Sequence, residues 1–134
     1  MRKLNKKILI LLVEDEDILV RTLKEKLMEE GFIVDTANNG VDGLKLALTE
    51  HPDLILLDIL IPKLDGATML KGLRVDSWGA HADVIILTNV KETDKLNEMM
   101  NIGLDIPNNK FEYLVKTDLS LASIVDKIKQ RLLI

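Results

Sequence analysis

Five short apolar runs punctuate the chain: Ile8–Val13, Ile33–Ala37, Leu54–Asp58, Val84–Thr88 and Tyr113–Lys116. They are short and mostly branched or aliphatic, which predicts strands. Their unbroken apolar character predicts a parallel sheet covered on both faces. Between the runs, apolar positions change to helical spacing. Leu19, Leu23 and Leu27 form one stripe, with Gly31 placed to end that helix. Val41, Leu44 and Leu48 form a second, Leu70 and Leu73 a third, and Leu96, Met99 and Met100 a fourth. Leu121, Ile124, Val125, Ile128 and Leu132 form a fifth, with Ser120 or Asp118 placed as its N-cap. Five strands each followed by a helix give a (βα)5 pattern. Right-handed crossovers then favour an α/β doubly wound sheet in one domain over residues 1–134.

Composition narrows the class. With 47% hydrophobic and 30% charged residues the chain is globular rather than disordered. A formal net charge of −4, with no dominant basic patch, argues against direct nucleic-acid binding as the main task. The absence of cysteine excludes disulfides, thiolate metal sites and cysteine nucleophiles, and fits a reducing, cytoplasmic setting. The basic "MRKLNKK" ahead of "ILILLV" outlines a signal peptide, but the apolar run soon meets Glu14, Asp15, Glu16 and Asp17. It is too short for a signal-peptide core or a membrane span, so no membrane insertion is expected.

The polar residues that end the strands carry the candidate chemistry. Asp58 lies between Leu54–Leu57 and Ile59-Leu60-Ile61, and a buried lone carboxylate is costly unless it neutralises or finds a partner. In open α/β sheets, ligands bind beyond the carboxyl ends of the strands at a topological switch point. Strand one ends in Glu14-Asp15, strand three in Asp58, strand four in Thr88 and strand five in Lys116, whereas strand two ends blandly at Thr36-Ala37. In the order 2-1-3-4-5 these four polar ends surround one crevice, and the bland one lies at the edge. Two unit charges ~4 Å apart at an effective dielectric of ~20 repel by roughly 4 kcal/mol. Three clustered carboxylates therefore take up protons or bind a cation, and Mg2+ suits a site of carboxylates, a carbonyl and waters. A hard cation, the Lys116 ammonium and the Thr88 hydroxyl converging on one carboxylate are equipment for phosphoryl transfer. Aspartate is itself a nucleophile for phosphoryl groups.

"ILLVEDED", "PDLILLDILIPKLDG", "VIILT" and "EYLVK" together resemble the receiver domain of two-component response regulators, along essentially the whole chain. The resemblance implies a flavodoxin-like receiver fold with strand order 2-1-3-4-5. It makes Asp58 the phosphoacceptor, with Pro62 and Gly66 in the loop that follows. It makes Glu14, Asp15, Asp58 and the backbone carbonyl of Leu60 the holders of Mg2+, and pairs Lys116 with phosphoryl oxygens. Thr88 and Tyr113 become the switch residues that remodel the face of the fourth helix, fifth strand and fifth helix. The implied donor is a sensor histidine kinase or a phosphotransfer protein. The implied output is binding of a downstream protein; the sequence leaves open whether phosphorylation also drives a dimer. The domain is expected to catalyse its own phosphorylation without being a turnover enzyme, and a single receiver domain with no DNA-binding or enzymatic output domain is expected.

Some positions depart from the family. Thr117 stands where a proline joined by a cis bond is usual; a non-proline cis bond costs about 2.5–4 kcal/mol, so a trans bond would seat Lys116 differently. Asn89 follows Thr88 where a smaller residue is common, and a long segment separates Gly103 from Tyr113 beside the output face. Leu60 and Val90 are apolar where an attacking water would be oriented, which predicts a slowly decaying aspartyl-phosphate. Two rivals remain. "DEDIL" faintly resembles the nucleophile motif of haloacid-dehalogenase-like phosphatases, without its fifth residue or room for a cap. The other is a receiver-like interaction module that works without phosphorylation. His51 and His81 are isolated and read as surface residues.

Overall fold

The computed structural model describes residues 7–59, 61, 63–89, 111–116 and 119–134. Within them five strands, β1 (Leu9–Val13), β2 (Ile33–Ala37), β3 (Leu54–Leu57), β4 (Val84–Thr88) and β5 (Phe111–Val115), form one sheet in the order 2-1-3-4-5. Every neighbouring pair is parallel. Four helices accompany them: α1 (Asp17–Glu29), α2 (Gly40–Glu50), α3 (Gly66–Arg74) and α4 (Leu121–Leu132), the last being the fifth of the sequence pattern. This is the flavodoxin-like arrangement expected. Strand ends move slightly. The β1–β3 ladder closes at Val13 and Leu57, so Asp58 is the first residue past its strand rather than the last within it. Likewise β5 starts at Phe111 and leaves Lys116 just beyond its end.

The unbroken apolar runs are explained by two faces that both need covering. Leu11, Val13, Ile55, Leu57, Val84 and Ile86 point to a core shared with Ala47 of α2 and Met69, Leu70 and Leu73 of α3. Their strand neighbours Ile10, Leu12, Leu54, Leu56, Ile85 and Leu87 point the other way. There they meet Leu23 and Leu27 of α1 and Ile124, Val125 and Ile128 of α4. Each such side chain contributes roughly 1.5–3 kcal/mol by leaving water. The predicted second stripe is partly corrected: Val41 is 51% exposed. The buried line of α2 is instead Gly40, Gly43 and Ala47, because these small residues let the helix lie close to β1 and α3.

Capping residues fix where helices begin. The side chains of Asn39, Asp65 and Ser120 accept from the backbone N–H of Asp42 (2.9 Å), Thr68 (2.8 Å) and Ser123 (3.1 Å). Of the two candidates for the last cap, Ser120 is therefore the one used. Gly31 follows α1 with φ 96°, a conformation that glycine adopts without a steric penalty. His51 and His81 are exposed as expected, but His51 is not isolated: its ring stacks on Trp78 with centroids 4.4 Å apart and planes within 9°. No helix among the described residues is long and apolar enough to cross a membrane. The fourth helical stripe at Leu96, Met99 and Met100 lies outside the described residues, as do Thr117, Val90 and most of the segment between Gly103 and Tyr113.

Candidate functional site

The carboxyl ends of β1, β3 and β5 deliver Glu14, Asp58 and Lys116 to one point. Adjacent strands place the first two: the backbone N–H of Asp58 donates to the Val13 carbonyl at 3.0 Å, so Asp58 leaves the sheet beside the residue that precedes Glu14. Glu14 and Asp58 are 2% and 6% exposed, whereas Asp15 is open to solvent. One carboxylate oxygen from each of Glu14, Asp15 and Asp58 lies within 4.8 Å of the others. Lys116 donates from Nζ to Asp58 Oδ2 at 3.0 Å and forms an ion pair with Glu14 Oε1. The other oxygen of Glu14 accepts from the backbone N–H of Asp15 at 3.0 Å and of Glu16 at 3.1 Å, holding the turn into α1.

These contacts set the charge balance. Burial pushes the Glu14 carboxyl up to about 7 from an ordinary 4.5; the hydrogen bond from Lys116 opposes the change and the charge of Asp58 adds to it. Burial alone would lower the Lys116 ammonium. Its hydrogen bonds to Glu14 and Asp58, with their negative charge, outweigh that cost, and the net direction is upward. Lys116 is therefore a firm cation between Asp58 and Glu14, and Glu14 is the acid that holds a proton more readily than an ordinary carboxyl. Three clustered carboxylate oxygens are hard donors that fit a Mg2+ ion sharing its remaining positions with waters and phosphate.

Gly66 comes back close to Asp58 and Ile59. The Gly66 N–H donates to the Ile59 carbonyl at 2.8 Å, and Lys63 adopts φ 68°. A Cβ on Gly66 would stand 2.6 Å from the Asp58 carbonyl oxygen and 2.5 Å from Ile59 Cα. Only glycine permits this closure. Two open clefts border α1, one touching Glu14 and Lys45, the other Lys116, Ile18 and Leu119.

Of the residues singled out from sequence, Glu14, Asp15, Asp58 and Lys116 come together. Thr88 closes β4 in register with Val115, and Tyr113 pairs with Ile86 one step inside the sheet. Leu60 lies outside the described residues. The sequence set Lys116 toward Asp58 and phosphoryl oxygens and missed its bond to Glu14. Opposite charges ending strands one and five were the signal for that contact.

Comparison with known proteins agrees with this fold. The family model described as the response regulator receiver domain matches residues 10–119. The transcriptional regulatory protein DltR of Streptococcus agalactiae is 41% identical over 98 residues, 72% of this chain and 41% of that protein. CusR of Escherichia coli is 36% identical over 107 residues, 80% of this chain and 44% of its own length. The chain thus spans less than half the length of these relatives. Among solved structures, chemotaxis protein CheY4 of Vibrio cholerae superposes with a TM-score of 0.79 at 22% identity, covering 93% of this chain and 98% of that one. The receiver domain of a Pseudomonas aeruginosa sensor histidine kinase, which has a magnesium ion coordinated in its active-site cleft, gives 0.78 at 23% identity, covering 93% and 97%. Both structures share the fold. With the family match over most of its length, the chain belongs to the response regulator receiver domains of two-component systems.

Proposed function

We propose that this receiver accepts a phosphoryl group on Asp58 from a phosphohistidine of a sensor kinase or phosphotransfer protein, with Mg2+ as cofactor, and so switches the binding of a downstream protein. The observation that carries the reading is the convergence of Lys116, Glu14 and Asp15 on Asp58. Receiver domains are signalling domains that interact with histidine kinases, and the cytoplasm is the compartment this reading implies. The reading covers residues 1–134 as one receiver unit.

A carboxylate oxygen of Asp58 forms a bond to phosphorus while the bond to the histidine nitrogen breaks, and the imidazole leaves with the electron pair. Lys116 neutralises charge on the transferring oxygens. Glu14, Asp15 and Asp58 hold the cation, joined in this proposal by the Leu60 carbonyl. When bound, Mg2+ neutralises the phosphoryl oxygens and helps to align them with the nucleophile. Thr88 then donates its hydroxyl to the new phosphoryl group, and Tyr113 repacks behind it.

Acetyl phosphate tests the proposal without a kinase. Intact mass should show one added phosphoryl group, dependent on Mg2+ and absent from Asp58→Asn. Wild-type protein that stays unmodified under those conditions would instead favour an interaction module that works without phosphorylation.

A further inference from the structure

We propose that Gly40, the first residue of α2, is a positioning residue for Asp58: it seats the Leu64 backbone and so braces the loop that follows the phosphoacceptor. This inference rests on the function proposed above and extends its machinery to a neighbouring helix.

Three observations carry it. First, Gly40 is buried, and a Cβ there would overlap the Leu64 carbonyl oxygen and come within 2.8 Å of Leu64 Cβ. Backbone lies against backbone, which no side-chain rotation can relieve. Second, Leu64 belongs to the short loop that starts at Asp58 and is closed at its far end by Gly66, itself pressed against the Asp58 carbonyl. A displacement of Leu64 is passed on through Asp65 and Gly66 to the peptide that holds Asp58. Third, the start of α2 is a firm anchor. Asn39 is 2% exposed, and its side chain accepts from the Asp42 N–H while donating to Asn38 Oδ1 and Asp42 Oδ2, both at 2.9 Å. The capped helix end meets Leu64, and Gly66 meets Asp58 and Ile59, so Leu64 and Asp58 are each seated against backbone. Side chains at a reacting centre must be held to a fraction of an ångström, so such a brace acts on rate.

Hydrogen exchange reads this coupling directly. Asn39→Ala removes the cap and loosens the α2 start. Exchange at the Asp58 and Gly66 amides, bonded to Val13 and Ile59, should accelerate at least tenfold together with the Gly43 amide. Rates at Asp58 and Gly66 that stay at the wild-type value overturn the proposal, whether or not the domain can be phosphorylated. Kinetics give a second reading. Gly40→Ala should slow phosphorylation by acetyl phosphate at saturating Mg2+ at least tenfold. Gly43→Ala is the control for strain within α2, because the atoms nearest its Cβ, at 2.9–3.1 Å, belong to the Val13 and Met69 side chains and not to backbone; it should stay within twofold of wild type. Equal rates for the two variants sink the idea. If Gly40→Ala does not fold, the exchange result decides.

Discussion

Glu14 is the residue whose protonation state ties stability to chemistry. Its carboxyl is raised from 4.5 to about 7 in the folded protein. Between those values the folded state holds the proton more tightly than the unfolded chain, so the stabilisation is full below pH 4.5 and is lost as pH rises through about 7. A tenfold difference in proton affinity between the folded and unfolded states is worth about 1.4 kcal/mol. Glu14→Gln removes that dependence. Urea unfolding without Mg2+ should therefore show wild type losing stability relative to Glu14→Gln from pH 5 to pH 8; a constant difference would contradict the assignment. Binding of Mg2+ should release a proton below pH 7 and weaken as the solution is acidified. Lys116 is expected to act on rate. Lys116→Ala should slow phosphorylation by acetyl phosphate roughly a hundredfold, the usual cost of losing one preorganised charge donor. Calorimetry should still detect Mg2+ on the three carboxylates.

At the scale of elements, the strands were the most legible part of the sequence, because a strand buried on both faces leaves an unbroken apolar run such as Leu54–Leu57. Their polar ends were legible for the same reason: Glu14, Asp58 and Lys116 stand out only where such a run stops. The α2 face was less legible. Periodicity pointed to Val41, but small residues make the contact, and a glycine carries no hydrophobic signal to read. The Gly66 closure and the Gly40–Leu64 contact were hidden too, since they depend on how loops from distant parts of the chain approach. The stacking of His51 on Trp78 likewise joins residues from separate elements. Helix ends were legible through capping chemistry, and this gives a test that separates fold from function. Ser120→Ala should cost about 1 kcal/mol by leaving the Ser123 N–H without its cap. Thermal unfolding should register the loss while the rate of phosphorylation by acetyl phosphate holds.

For the molecule as a whole, chemistry and the natural fluorescent reporter sit at opposite ends of the sheet. Asp58, Glu14 and Lys116 lie beyond the carboxyl ends of the strands, whereas Trp78 precedes β4 and stacks on His51 at the far end of α2. The chain has a single tryptophan. Its emission should follow global unfolding in denaturant yet stay constant on titration with Mg2+. A large Mg2+-dependent change would mean that the far end of the fold moves with the site. Whether Asp58 is the phosphoacceptor is decided most directly by locating the acyl phosphate itself. Protein treated with acetyl phosphate and Mg2+ is reduced with borohydride, which converts an aspartyl-phosphate to the alcohol, then digested and sequenced by mass spectrometry. The alcohol should be found at position 58 alone. Reduction at another carboxylate, or at none while intact mass shows phosphate, would rule out Asp58 as the acceptor.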